Sequence, residues 1–304
     1  MIAPGDAVRV SVPATSANLG PGFDSLGLAL DLYDEYRAEV TAQPGVVVES
    51  VGHGADSLPT DGDHLVARSL LAALDRFGVS QPPGLRLRCE NVIPQSRGLG
   101  SSAAAIVGGV LLGADLAGAA DPSALVALAS EIEGHPDNVA AALLGGLTVS
   151  WTEDDGAGRA IGLEVLPQVT PVVFVPETSS PTAAARQALP ESVTHRDAAF
   201  NAGRSALMVA ALTRDPGLLV PASDDRLHQR QRRSTYPDSL RLVEELRVAG
   251  WAAAISGAGP TVLVLTHRAE DATAVARHEV PGFRPWVMRV GRGGLATRIG
   301  DTRS

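Results

Sequence analysis

The 304-residue chain contains no lysine, so all 25 of its basic side chains are arginine. That absence excludes a Walker A lysine on a nucleotide phosphate, a Schiff-base lysine and a lysine general base. Cysteine is nearly absent too. The one thiol, Cys89, lies in the strand-like "LRLRCE", cannot form an internal disulfide, and reads as a buried structural side chain. Long apolar runs are missing: "AIVGGVLLGADL" carries glycines and an aspartate and falls short of the roughly 20 apolar residues that span a bilayer. The start, "MIAPGDAVRV", has neither a basic leader nor an apolar h-region, so a cytoplasmic protein without membrane association is expected. Positive charge is in deficit as well. A formal net charge of −9 argues against a broad electrostatic footprint for nucleic acid.

What is present is material for a real core, 45% hydrophobic residues, in a chain long enough for two ordinary domains. "VRVSV" alternates with period two and predicts a strand, followed by the turn-rich "PATSANLGPGFDSLG". Further strands are expected at 33–40, 46–50 and 85–89, with helices at 63–77, 101–116, 122–133 and 136–144. The helix at 122 has Asp121 as a natural N-cap and proline at its first position. After "LTVSW" comes the loop "TEDDGAG". The second half reads as strand 171–176, helices 197–212 and 239–249, a strand pair 251–256 and 261–266 joined by "GAGP", helix 269–278 and strand 286–290. That order matches the split βαβ plan of a ferredoxin-like layer. The expected division is an N-terminal domain of 1–160 and a C-terminal domain of 161–304.

Four stretches carry chemistry. In "RGLGSSAAA", Gly98 and Gly100 let the backbone turn sharply, and the helix that follows presents unpaired N–H groups that bind phosphate without a cationic side chain. Ser101 and Ser102 add hydroxyls for phosphate oxygens or a magnesium ion. "PATSANLGPGFDSLG" brings Thr15, Ser16, Asn18 and Asp24 into one loop, four short polar side chains that can converge on a polar ligand. "EGHPDNVAAALLGG" places Glu133, His135, Asp137 and Asn138 ahead of a small-residue helix, without zinc-type spacing but suited to magnesium beside phosphate. "SGAGPT" is a tight glycine turn between two strands.

Together these stretches resemble the three signature motifs of the GHMP kinases, and "PATSANLGPGFD" with "EGHPDN" resembles the homoserine kinases within that superfamily. The resemblance runs from Val10 to about Thr261. It implies an α+β, two-domain GHMP kinase fold: an N-terminal domain like ribosomal protein S5 domain 2 and a ferredoxin-like C-terminal domain, with the active site between them. It implies ATP on the glycine loop, here Pro94, Arg97, Gly98, Leu99, Gly100, Ser101 and Ser102, and His64 of "GDHLVARS" near the adenine, where relatives commonly carry asparagine. Glu133, with Glu131 as a rival, matches the Mg2+ ligand, helped by Ser101. Asn138 matches the asparagine that meets the substrate hydroxyl, with His135 beside it. Asp137 is expected to cap the helix that follows.

For the amino acid, the resemblance implies Asn18 and Asp24 on the amino group of L-homoserine. In "SPTAAARQALP" it points to Thr182 and Arg186, and in "LHQRQRRSTYP" to Arg232 on the carboxylate, with Arg230 and Arg233 as alternatives. The physics agrees, because a zwitterion wants a carboxylate near its ammonium and planar arginine forks at its carboxylate. Asn138, Glu133 and Arg186 form the expected catalytic set. The implied activity is direct transfer of the ATP γ-phosphoryl group to the side-chain hydroxyl, in threonine biosynthesis, by an enzyme that forms a homodimer. Another GHMP kinase acting on mevalonate or a sugar, and an inactive sensor of ligands, are the alternatives.

Overall fold

The computed structural model describes residues 2–178 and 186–299. Seven strands form the first sheet: β1 (Ala7–Ala17), β2 (Leu26–Thr41), β3 (Gly45–Gly52), β4 (Gly84–Asn91), β5 (Leu147–Thr152), β6 (Gly158–Leu163) and, from the far end of the chain, β11 (Leu295–Ile299). Their order is β11-β1-β2-β4-β3, with β5 on β2 and β6 on β5; only the β3–β4 pair is parallel. Helices α1 (Leu65–Arg76), α2 (Ser101–Ala117), α3 (Pro122–Glu133) and α4 (Asp137–Leu144) accompany this sheet.

The second sheet holds β7 (Thr170–Pro176), β8 (Ala252–Ile255), β9 (Val262–Thr266) and β10 (Phe283–Val287) in the order β10-β7-β9-β8, all antiparallel. With α5 (His195–Thr213), the single turn α6 (Leu219–Ala222), α7 (Pro237–Val248) and α8 (Ala269–Ala276), it follows the ferredoxin-like plan. The result is a two-domain α+β fold.

Period two explains how the domains share one core. Along β7, Val172 and Phe174 face α7 and α8, while Val173 and Val175 belong to the apolar cluster that runs on into the first domain. Along β9, Val262 and Val264 do the former and Leu263 and Leu265 the latter. Because both faces of these strands are buried, the sequence reads as a continuous apolar run rather than an alternation. The central helix α2 is largely apolar and mostly buried, with Ser102 exposed and Asp115 half-buried. Its Gly109 and Gly113, one turn apart, let α1 approach so closely that a Cβ would sit 2.3 Å from Val66 O or 2.5 Å from Leu70 O.

Several elements differ from expectation. β1 and β2 are longer, because the chain keeps pairing through a bulge between Pro13 and Ala14, where the missing proline N–H costs no ladder bond. α1 starts at Leu65 because His64, not Asp63, caps it: Nδ1 accepts from Val66 N at 3.2 Å. β10 lies at Phe283–Val287, three residues before the expected 286–290. β6 and β11 were not expected at all; both are short, β6 half-exposed and β11 largely exposed.

Candidate active site

Between the two domains lies a cleft with about 130 Å³ of free space. Six pieces of chain meet there: the loop after β1, the glycine loop ahead of α2, the α3–α4 corner, the segments carrying Arg186 and Arg232, and the 256–261 turn.

The glycine loop is built by backbone geometry. Gly98 and Gly100 have φ of 75° and 72°, and Gly100 is the N-cap of α2 without a side-chain cap. Their left-handed conformation leaves the first N–H groups of α2 for a ligand, with the helix dipole favouring an anion. A Cβ on Gly98 would lie 2.3 Å from Ser256 O, and one on Gly100 1.9 Å from Thr15 Oγ1. The loop is therefore squeezed between β1 and the 256–261 turn. Ser256 Oγ lies 2.5 Å from Gly98 O and 2.8 Å from Ser16 Oγ, and Gly257 N donates to Ala17 O at 3.0 Å.

At the α3–α4 corner, Ser102 Oγ donates to Glu133 Oε2 at 2.9 Å, across the mouth of the glycine loop. Burial raises the Glu133 carboxyl above its ordinary value, against the opposing effects of His135 and of the Ser102 hydrogen bond. Buried Asp137 gathers its neighbours on one oxygen: Oδ1 accepts from Asn138 N at 2.7 Å and lies 2.7 Å from His135 Nδ1. Burial disfavours charge on His135, yet that hydrogen bond and the charges of Asp137 and Glu133 outweigh it and raise its pKa. Pro136, rather than Asp137, occupies the N-cap position of α4. Asn138 Oδ1 accepts from Thr15 Oγ1 at 2.8 Å, which fixes its carboxamide against β1.

The loop after β1 holds three non-glycine residues at positive φ, Asn18 at 69°, Leu19 at 46° and Asp24 at 54°. Such strain persists only where surroundings over-determine it. Here Asn18 Nδ2 donates to Gly257 O and Asn18 Oδ1 accepts from Asp24 N, both at 3.0 Å. From the second domain, Asn201 Nδ2 and Ser205 Oγ donate to Pro21 O, and His228 Nε2 donates to Gly20 O at 2.7 Å. Asp24 is then met by Arg186 in a bidentate fork of 2.7 and 3.2 Å.

Arg232 is 2% exposed yet lines the cleft. Its Nη1 donates to His228 Nδ1 at 3.2 Å, and burial lowers its pKa, opposed by its interaction with Tyr236. The neighbouring Asp225 accepts from the N–H groups of Leu227, His228 and Gln229 and from Asn201 Nδ2. Burial pushes the Asp225 carboxyl up, but its interaction with the neighbouring His228 and these hydrogen bonds prevail and hold it below its ordinary value.

Of the residues expected at a site, the cleft brings together Asn18, Asp24, Gly98, Gly100, Ser101, Ser102, Glu133, His135, Asn138, Arg186 and Arg232. It does not gather the rest. Pro94 and Leu99 are buried, and Arg97 donates to the carbonyls of Gln95, Pro176 and Glu177, tying the glycine loop to β7. His64, 3% exposed, has both ring nitrogens engaged, the second 3.3 Å from Ser50 Oγ, and burial lowers its pKa. Glu131 pairs with Arg76 away from the cleft, Arg233 pairs with Glu244, and Arg230 is exposed. Thr182 lies outside the described residues. Phe23, Asn201, Asp225 and His228 were not singled out from sequence, although Asp225 ahead of three N–H groups it accepts from is a capping pattern legible in "DRLHQ".

Comparison with known proteins places the chain in a family. Residues 64–146 match the family of GHMP kinases N terminal domains, and residues 207–278 match GHMP kinases C terminal. A homoserine kinase of Streptomyces avermitilis is 56% identical over 89% of each chain. One from Leifsonia xyli subsp. xyli is 48% identical over 98% of this chain and 94% of its own. The crystal structure of homoserine kinase from Cytophaga hutchinsonii superimposes with a TM-score of 0.86 at 27% identity, covering 98% of this chain and 99% of that one. On these identities and coverages, together with the two domain matches, the chain belongs to the homoserine kinase family of GHMP kinases.

Proposed function

We propose that this chain transfers the γ-phosphoryl group of ATP to the side-chain hydroxyl of L-homoserine, giving O-phospho-L-homoserine for threonine biosynthesis. One observation carries the reading: a single cleft joins an anion-binding helix N-terminus to a frame of one carboxylate and two arginines. An uncharged sugar gains nothing from that frame, whereas an α-amino acid needs both signs of charge within one small cavity.

ATP phosphates sit on the N–H groups from Gly98 to Ser102, and no lysine is required. The homoserine ammonium goes to Asp24, with the second lone pair of Asn18 Oδ1 beside it; Arg186 exchanges Asp24 for the substrate carboxylate, which it shares with Arg232. The substrate hydroxyl donates to the remaining lone pair of Asn138 Oδ1, whose other lone pair is taken by Thr15. That turns the nucleophilic oxygen toward the γ-phosphorus. Oxygen–phosphorus bond formation accompanies departure of ADP, and the hydroxyl proton leaves onto the transferred phosphoryl group. The loose transition state needs positioning and charge stabilisation more than a strong base. Among the described residues no cluster of three His, Cys, Asp or Glu could hold a metal alone. One half-buried carboxylate beside a phosphate loop is nonetheless the donor set Mg2+ takes when substrate phosphates complete its shell. Glu133 and Ser101 would hold it, and it would supply charge neutralisation on the β- and γ-phosphates. Ser102 orients the carboxylate by occupying Oε2.

We assign residues 1–160 with the returning β11 to the ATP-binding domain and the remainder of 161–304 to the C-terminal domain, in an enzyme of the cytoplasm whose partners are its two substrates. Among the described residues no helix is long and apolar enough to cross a membrane. ADP release by purified protein with Mg-ATP tests the function, with L-homoserine set beside L-serine, L-threonine, mevalonate and galactose. Turnover confined to L-homoserine is expected. Turnover on mevalonate or galactose overturns the substrate, and ligand-dependent thermal shifts without ADP release replace the kinase with a sensor.

A further inference from the structure

We infer that Phe23 is a positioning residue that holds both arginines at the amino-acid carboxylate, and so sets affinity for the amino acid; this rests on the function proposed above. The guanidinium carbon of Arg232 lies 5.2 Å from the centroid of the Phe23 ring and that of Arg186 lies 5.8 Å from it. One aromatic ring thus serves two cations that come from segments 46 residues apart. A guanidinium within about 6 Å of an aromatic centroid is attracted by the ring quadrupole, more strongly where water is excluded.

Without such a platform, two guanidinium groups converging on one small cleft repel each other until the carboxylate arrives. The ring offers a neutral surface with negative faces that tolerates both. Its own position is over-determined. The loop just ahead of it is gripped by Asn201 on Pro21 O and by His228 on Gly20 O, the next residue's N–H is held by Asn18 Oδ1, and the His228 ring lies 5.1 Å from that of Phe23. His228 in turn accepts from Arg232, so ring, imidazole and guanidinium form one packed unit.

The consequence appears on substrate entry. Arg186 rests on Asp24 in this structure, and the substrate ammonium claims that carboxylate. When the fork is surrendered, the Phe23 ring is the contact that keeps Arg186 in the cleft, within reach of the incoming carboxylate. Losing the ring lets Arg186 leave into water and makes every binding event wait for its return. The effect falls on the amino acid and spares ATP, whose phosphates bind on the other side of the cleft.

The test is steady-state kinetics of Phe23→Leu and Phe23→Tyr, with each substrate varied in turn. Phe23→Leu is expected to raise the KM for L-homoserine by about tenfold or more, with kcat and the KM for ATP little changed. Phe23→Tyr keeps the ring and is expected to return the homoserine KM to within about threefold of wild type. Phe23→Met, flexible and long enough to fill the gap but without a π face, replaces it if the leucine variant does not fold; Phe23 is only half-buried, so the leucine variant should. An unchanged homoserine KM in the ring-less variant, a parallel rise in the KM for ATP, or failure of tyrosine to restore affinity overturns the inference. Absence of homoserine turnover in the wild type would instead defeat the underlying function, so the two failures are told apart.

Discussion

Two glycines bracket α2 at the same backbone angle, and replacing each by alanine separates strain from crowding at the phosphate loop. Gly100 at the N-terminus and Gly118 at the C-terminus both have φ of 72°. A Cβ on Gly118 meets nothing within 4 Å, so Gly118→Ala bears the left-handed strain alone, about 1–2 kcal/mol. A Cβ on Gly100 would lie 1.9 Å from Thr15 Oγ1 and 3.3 Å from Asn138 Oδ1. Thr15 is fully buried in β1, where its N–H also bonds Leu99 O, so it yields only by giving up the hydrogen bond to Asn138. A buried hydroxyl left unpaired adds about 1–3 kcal/mol to the same strain. Gly100→Ala should therefore lose about 3 kcal/mol in urea unfolding, clearly more than Gly118→Ala. Because the displaced Asn138 is the proposed hydroxyl contact, kcat/KM for homoserine should also fall by about 100-fold in Gly100→Ala and stay near wild type in Gly118→Ala. Equal stability losses, or a Gly100→Ala enzyme with full activity, would refute the account of the loop.

Three further outcomes follow from the same geometry. Arg186→Ala removes a charge-assisted fork and should raise the KM for homoserine by about 10- to 100-fold while the KM for ATP holds, as substrate-variation kinetics will show. Glu133→Gln keeps the shape of the corner but removes its charge; the Mg2+ concentration for half-maximal rate should rise at least about tenfold in a magnesium titration of ADP release. His64 is kept neutral by burial, so its folded pKa lies below the unfolded value of about 6.5. Above that value both states are neutral and nothing is linked; below it the unfolded chain takes up a proton that the fold refuses, and stability falls as pH falls. Comparing denaturant midpoints of wild type and His64→Asn, which keeps a capping side chain, should give a difference that is flat above about pH 7.5. From about pH 6.5 downward wild type should lose up to about 1.4 kcal/mol per pH unit relative to the variant.

What was legible in the sequence was what local chemistry decides. Helix α3 falls at Pro122–Glu133 as expected because Asp121, Pro122 and Gly134 mark both its ends in consecutive residues. The glycine loop was legible for the same reason: nothing but a left-handed turn into a helix suits "GLGSSAAA". Strands β6 and β11 were not, since short half-exposed runs such as "GRAIGL" carry little alternation, and β11 finds its partner β1 nearly 300 residues away. Strand β10 was misplaced because "WVMRV", free of proline, reads better than "FRPWV", while the edge position that tolerates Pro285 is a property of the assembled sheet. At the cleft, motifs gave residue types and the fold decides only which of them line it: Glu133 rather than Glu131, and Arg232 rather than Arg230 and Arg233. The supporting network could not be read in advance. Asn201 grips Pro21 across 180 residues, and Phe23 gathers two arginines from different segments, contacts that no local pattern encodes.

The central claim is transfer of phosphate to one particular oxygen, and ³¹P NMR of the reaction of purified protein with Mg-ATP and L-homoserine observes it directly. The account predicts a single new phosphomonoester resonance, coupled to the side-chain methylene protons, growing in equal amount with ADP. Appearance of inorganic phosphate alone, or of no phosphorylated amino acid while ATP is consumed, would contradict it.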